Sequence, residues 1–293
     1  MLPSFAAQVA ALALCGTDVL LRGIRLRLLV PGSPALSLRQ AIAINAYGDA
    51  AAAVTPVRLG GDPARFVGFR RAGVGAPQAL AGIAVETLID WLLLATAATI
   101  LGIALADTAA AGVRHLVALA TGPRARLLVG LVLALAAASA GLAGWYRRRL
   151  PAAVTTSLAA TGRCARRLGW FNVLRASLLT AASMTLRTAI LPVLAAGHAG
   201  SLASLSLGSF ALLYGQLLLP TPAGVGAVEL GFVGGFAGTL SAPALAALLV
   251  AWRVYTLIVP AGLGALLLAD AAVSRGSNPR YSSSNSEKVR SQP

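Results

Sequence analysis

Long apolar runs broken by short polar ones set the pattern of this chain. A helix that crosses a bilayer needs about 20 apolar residues. Runs that meet this need are 4–21, 78–105, 127–146, 176–196, 201–219 and 243–269. Two more apolar stretches are compromised. Residues 36–56 hold Arg39, Asn45, Tyr47 and Asp49; residues 220–240 are glycine-rich and hold two prolines and Glu229. Both would make poor lipid-facing helices, and both suit broken or re-entrant segments shielded by neighbouring helices. The runs lack the short alternating strands of a β-barrel. The predicted fold is an all-α polytopic membrane protein of about 6–8 transmembrane helices, two of its segments broken. A membrane domain over 1–270 is followed by 271–293, whose serine-rich sequence "GSNPRYSSSNSEKVRSQP" from Gly276 onward predicts disorder.

Composition agrees. Of 293 residues, 57% are hydrophobic and 11% charged, with a mean hydropathy of +0.79. Soluble domains carry about 25% charged residues. The net charge of +15 is almost all arginine, Lys288 being the single lysine. These arginines flank apolar spans, so topology and anionic lipid headgroups explain them better than nucleic acid does. Arg22, Arg25, Arg27 and Arg39 follow the first span, Arg58, Arg65, Arg70 and Arg71 the first interruption, and Arg147, Arg148, Arg149, Arg163, Arg166 and Arg167 fill the centre. Residues 106–126 carry only Arg114, Arg124 and Arg126. The positive-inside rule then puts 22–39, 58–77 and 147–175 in the cytoplasm and 106–126 outside, so 36–56 must dip in and return. The expected location is the inner (cytoplasmic) membrane. Residues 151–170 read equally as an interfacial helix or a solvated basic loop.

Several chemistries find no support. Cys15 and Cys164 give neither a disulfide framework nor a metal site. No basic region precedes Cys15 and Leu14 is too large for a cleavage position, so 4–21 reads as an uncleaved first helix. No phosphate loop, metal cluster or nucleophile elbow appears. The expectation is a protein that is not an enzyme and carries no cofactor or metal. His115 and His198 are isolated, Asp107, Asp270 and Glu287 read as loop acids, and Trp91, Trp145, Trp170 and Trp252 sit near span ends, where interface anchoring suffices.

The two interruptions resemble each other. "VTPVRLGGDPARF" begins with Thr55-Pro56 and continues through Arg58, Gly60, Gly61, Asp62 and Arg65. "LPTPAGVGAVELGF" begins with Thr221-Pro222 and continues through Gly224, Gly226 and Glu229. Some thirty residues after each Thr-Pro comes an intramembrane charge, Glu86 or Arg253. Matched breaks in two halves point to a transporter binding site. A broken helix bares N–H groups that attract anions, and glycine admits a ligand to the backbone. Arg58 and Arg65 would add charge-assisted bonds to a phosphate. The competing explanation is packing alone: Gly231 with Gly235, and Gly234 with Gly238, have the spacing of close helix contacts. In "AVETLIDWLLL", Glu86 and Asp90 share a helix face and repel each other, so they need a cation or a proton. Arg253 and Arg187 are the candidate partners.

"RGIRLRLLV…LSLRQAIAINAYGDAAAAVTPVRLGGDPARFVGFRRAGV…ALAGIAVETLIDW" resembles the N-terminal half of the lysylphosphatidylglycerol synthase transmembrane-region family, also called flippase-like domain proteins. "LPTPAGVGAVELGFVGGFAG…ALLVAWRVYTLIVPAGLG" resembles its second signature. The resemblance covers residues 20–268 and implies a functional set of Pro56, Arg58, Gly60, Gly61, Arg65, Glu86, Asp90, Pro222, Gly224, Gly226, Glu229 and Arg253. Two positions depart from the family pattern. Thr87 stands where an arginine usually follows the glutamate, which moves weight to Arg253 as the partner of Glu86; Ala223 stands where a second glycine usually follows the proline. The resemblance implies a translocator that moves a phospholipid or aminoacyl-phospholipid between leaflets. Arg58, Gly60, Gly61, Arg65, Gly224, Gly226 and Arg253 would meet the headgroup; Glu86, Asp90 and Glu229 would balance charge, and Pro56 and Pro222 break the helices. The implied partners are membrane phospholipids and, on another chain, a lipid-modifying synthase. The alternatives are a non-transporting partner of a lipid- or lipid-linked-glycan-modifying enzyme, and an enzyme acting on a polyprenyl phosphate.

Overall fold

The computed structural model describes residues 3–30, 36–55, 58–104, 152–197, 201–218, 221–236 and 241–276. Expectations for the span 127–146, the segment 106–126, Pro56, Arg147 to Arg149, Trp145, both histidines and the tail beyond Gly276 lie outside these residues.

Helix α1 spans Phe5–Leu28, with the Ser4 hydroxyl accepting from the Ala7 N–H at its N-terminus. The first span therefore runs a full two turns past residue 21, and Arg22, Arg25 and Arg27 belong to a helix rather than to a cytoplasmic loop. Helix α2, Leu38–Val54, starts with a reciprocal capping box between Ser37 and Gln40 and is unbroken to its end. The break predicted within 36–56 lies just after it. There the Thr55 hydroxyl accepts from the Gly60 N–H at 2.9 Å while donating to the Ala51 carbonyl at 2.8 Å. The chain then enters α3, Gly61–Arg71, which packs back along α2. Helix α4 covers Ala76–Ala104, and α5, Ala152–Arg166, packs against it. The stretch 151–170 is thus largely helical, and Cys164 sits on that helix rather than in a loop.

Helix α6, Trp170–Leu194, lies along α1. Helix α7, Leu202–Gly215, ends in a 3₁₀ turn, Gln216–Leu218. At 14 residues it rises only about 21 Å, short of a hydrocarbon core of about 30 Å. A second 3₁₀ turn, Pro222–Gly224, leads into α8, Ala227–Phe236. Helix α9, Ala242–Arg253, continues through a π turn at Val254–Ile258 into α10, Val259–Gly276. Asp270 is an exposed helical residue, not a loop acid.

Among the described residues there is no strand, and three stretches are long and apolar enough to cross a membrane: Ala76–Leu101, Trp170–Leu194 and Ala242–Asp270. Their outward faces carry exposed Leu88, Leu92, Ile100, Leu178, Val250 and Leu266, as lipid contact requires.

Among the described residues, three apolar clusters hold the helices. One joins Ile190, Leu194, Leu213, Phe232, Leu248 and Trp252; a second joins Leu26, Ile44, Phe69, Val74 and Ile83; a small third joins Leu29, Ile89 and Ala176. Trp252 is fully buried in the first cluster, so it is no interface anchor, whereas Trp170 is 64% exposed. Small residues bring backbones together. A Cβ on Gly264 would strike the Ala46 carbonyl, which fixes the close crossing of α10 over α2.

Candidate functional site

Between the clusters lies a cavity of about 300 Å³, walled by α1, α2, the turn into α3, α4, α6 and the end of α7. Its lining includes five arginines, Arg22, Arg25, Arg58, Arg65 and Arg187, and four acids, Asp49, Asp62, Glu86 and Asp90. Charges at membrane depth are tolerated when paired or wet, and here the pairing is dense.

Helix α1 supplies Asp18, Arg22 and Arg25 from one face, at spacings of four and three. Glu86 of α4 is 1% exposed and takes two guanidiniums, Arg25 on Oε1 and Arg65 of α3 on Oε2. Arg25 Nη1 also donates to Asp90 Oδ1 at 2.5 Å and to the Thr180 hydroxyl at 2.8 Å. Arg22 makes a two-pronged pair with Asp49 of α2, at 3.0 and 2.7 Å, and its Nε lies 3.2 Å from Asp18 Oδ2. Asp18 accepts the Ser183 hydroxyl as well. Such forked bonds fix geometry as well as charge. Gly48 makes room for the network: a Cβ there would lie 2.6 Å from Arg65 Cγ, so glycine lets the arginine stem cross α2.

Two cavity arginines are held loosely. Arg58 Nη2 is 4.0 Å from Asp49 Oδ1. Arg187 Nε is 3.9 Å from Asp18 Oδ2, and its Nη2 donates to the Thr256 carbonyl of the π turn at 3.4 Å. Arg58 also has φ 59°, a left-handed backbone unusual for a residue with a side chain. Its N–H donates to the Thr55 carbonyl at 3.2 Å, so the turn that carries Thr55 and Gly60 also aims Arg58.

The second break forms a separate ion-paired cluster. Ala223, Gly224 and Gly226 have φ of 49°, 68° and 89°. Glu229 Oε2 accepts the Gly226 N–H at 2.6 Å; its Oε1 accepts from Arg253 Nε and Nη2 at 2.9 and 2.6 Å. Arg253 Nη1 donates to the Ala223 carbonyl at 3.0 Å. Arg253 therefore staples the break that follows Pro222, and its partner is Glu229. The expected Arg253–Glu86 pair is replaced by Arg25 and Arg65 on Glu86, because α1 runs on past residue 21 and delivers Arg25 beside α4.

The structure thus gathers Arg58, Gly61, Arg65, Glu86 and Asp90 at one cavity, with Gly60 in the turn at its edge, and holds Gly224, Gly226, Glu229 and Arg253 in the second cluster. Gln216 and Leu217, just ahead of that cluster, line the same cavity. Sequence reasoning missed Asp18, Asn45, Asp49, Thr180 and Ser183 as network or lining residues, and placed Arg22 and Arg25 in a loop. Their spacing was the available signal: 18, 22 and 25, 45 and 49, and 180, 183 and 187 each form a polar stripe on an apolar helix.

The model of one protein family, described as lysylphosphatidylglycerol synthase TM region, matches residues 4–264. No curated protein matches the chain.

Proposed function

The chain belongs to the lysylphosphatidylglycerol synthase transmembrane-region family, and we propose that it is a translocator, not an enzyme, that moves a phospholipid or aminoacyl-phospholipid between the leaflets of the cytoplasmic membrane. One observation carries the reading: a cavity lined by five arginines and four acids, inside helices whose outer faces are apolar. A lipid headgroup must be lifted through a medium that solvates no charge. A chamber that replaces water with fixed, paired charges lowers that cost, because its dipoles are already oriented. The helical pairs α2–α3 and α7–α8 act as re-entrant hairpins in this reading, and their tips at Arg58 and Gln216 form part of the chamber wall.

The test is exchange in liposomes. The purified protein is reconstituted with headgroup-labelled lipid, and the rate at which inner-leaflet label reaches an external quencher is followed. Wild type exchanges label well above empty liposomes; Arg58→Ala and Asp90→Asn, both at the chamber and outside the packed cores, slow it about tenfold, the loss of roughly one charge-assisted bond. Exchange no faster than in empty liposomes, with anionic, zwitterionic and aminoacylated lipids and under an imposed pH gradient, sinks the translocator.

A further inference from the structure

Around the cavity, three buried side-chain atoms among the described residues have no hydrogen-bond partner: Arg25 Nε, Asn45 Nδ2 and Arg65 Nε. All three are N–H donors. Buried donors left unpaired cost about 1–3 kcal/mol each, so a chamber of this kind is completed by a guest that brings acceptors. Asn45 is the clearest case. It is 5% exposed, uncharged and tied to no described ion pair; the residue lines the cavity, and its amide nitrogen has nothing to donate to.

The charges give the same direction. Every acid lining the cavity already holds an arginine: Asp49 with Arg22, Asp62 with Arg65 at 3.6 Å, Glu86 with Arg25 and Arg65, and Asp90 with Arg25. The groups in loose contact are both cations, Arg58 and Arg187. An ammonium entering this chamber would meet acids whose charge an arginine already balances. A phosphate would only have to draw in guanidiniums whose nearest carboxylates lie at 3.9–4.0 Å.

We infer that Asn45, Arg58 and Arg187 form a docking pole for the phosphodiester of a lipid, and that the lipid is selected by this phosphate with no requirement for an amine. The inference rests on the translocator reading for the ligand's being a lipid, but its test reads binding rather than transport. The Arg187 guanidinium also lies 3.9 Å from Asp18 of α1 and donates to the Thr256 carbonyl of the π turn at 3.4 Å, so the pole sits where α1, α6 and the π turn meet.

The experiment measures the melting temperature of the full chain, purified in a phosphate-free maltoside detergent, as ligand is titrated in. Four probes are used: dihexanoyl phosphatidylglycerol, dihexanoyl phosphatidylethanolamine, dihexanoylglycerol and inorganic phosphate. A ligand that binds the folded state stabilises it by RT ln(1 + L/Kd), where L is the free ligand concentration, so the melting temperature keeps rising as L passes Kd. Both phospholipids stabilise wild type, and dihexanoylglycerol, which lacks the phosphate, does not. Arg187→Gln and Asn45→Ala weaken the apparent Kd for phosphatidylglycerol about tenfold each. Asn45→Ala removes a donor that has no partner, so the ligand-free variant still melts cooperatively; this separates a lost ligand contact from a lost fold. Arg187→Lys keeps the charge but not the fork and recovers only part of the affinity.

Equal shifts from the phosphate-free lipid, wild-type affinity in both variants, or binding of the ethanolamine lipid alone would each overturn the pole. A shift from inorganic phosphate as large as that from the phospholipids, and lost in the same variants, assigns the pole to free phosphate and overturns the lipid. Binding as expected without leaflet exchange keeps the pole and removes the translocator.

Discussion

Glu86 shows what single residues do here. It sits 1% exposed between Arg25 and Arg65, and the pair links α1, α3 and α4. Removing one partner of a buried ion pair costs about 3–5 kcal/mol, because the remaining charge has lost both water and its counter-ion. Glu86→Gln should therefore lower stability in detergent by about that amount, read as a fall in melting temperature. Arg25→Gln should be nearly as harmful, and the double variant less harmful than the two losses added together. Additive losses would mean that the two groups do not interact. The same residues show how far the sequence could be read. Glu86, Asp90, Arg58 and Arg65 stood out as charges in or beside apolar runs, and all four line the cavity. Arg22 and Arg25 did not, because ending the first span at its first arginine assumes that a charge marks the water boundary. Asp18, Asp49 and Glu86 supply counter-charges from inside the helices, and these let the arginines stay within one.

At the scale of elements, the two broken segments use one recipe in two ways. Both contain Thr-Pro, glycines and an acid, and each turns the chain between two short helices. The first turn is held by the Thr55 hydroxyl and presents Arg58 to the cavity. The second is held by Arg253 and Glu229, whose charges are spent on the backbone. Gly224 is the position that this second turn requires. Its φ is 68°, and an added Cβ would lie 2.8 Å from both Gln216 Cβ and Val228 Cγ2. Gly224→Ala should therefore destabilise by about 1–3 kcal/mol through strain and overpacking together, while Gly226→Ala, with a similar φ of 89° but no atom within 4 Å of its Cβ, should cost less. Comparing their melting temperatures checks this, and equal losses would refute the steric part. The sequence signals both turns as glycine-proline breaks, but does not tell which one faces the cavity. That depends on which arginine finds its acid nearby, and Glu229 lies within reach of Arg253 only because α9 packs beside α8.

The whole molecule divides along its ion pairs. Helices α1, α2, α3 and α4 are tied to one another by Arg22–Asp49, Arg25–Glu86 and Arg65–Glu86. The hairpin α7–α8 is tied to α9 by Arg253–Glu229, and Gly208 on α7 seats the Phe236 ring of α8. Around the π turn that follows α9 the polar contacts are longer: Arg187 of α6 to Asp18 at 3.9 Å, Arg187 to the Thr256 carbonyl at 3.4 Å, and the Cys15 thiol on the Tyr255 carbonyl at 3.2 Å. The last two end on carbonyls of the π turn, and such turns within a helix are sites where it can bend. In the translocator reading, α10 stays seated on α2 at Gly264, and alternate exposure of the chamber is expected to swing α7–α8 with α9 about the π turn against the four-helix unit. Leu59 and Val225 mark the two bodies, both with exposed side chains at the hairpin turns. Spin labels on Leu59→Cys and Val225→Cys, with Cys15 and Cys164 replaced by alanine, should give more than one distance in liposomes. Addition of a translocated lipid should shift the balance among them, since a ligand redistributes states only by binding them unequally. A control pair at Leu59 and Leu88, both on the four-helix unit, should give one distance throughout. One unchanging distance for Leu59 and Val225, in a preparation that exchanges lipid, would place the moving part elsewhere; movement in the control pair would mean that the ion pairs among α1 to α4 do not hold that unit rigid.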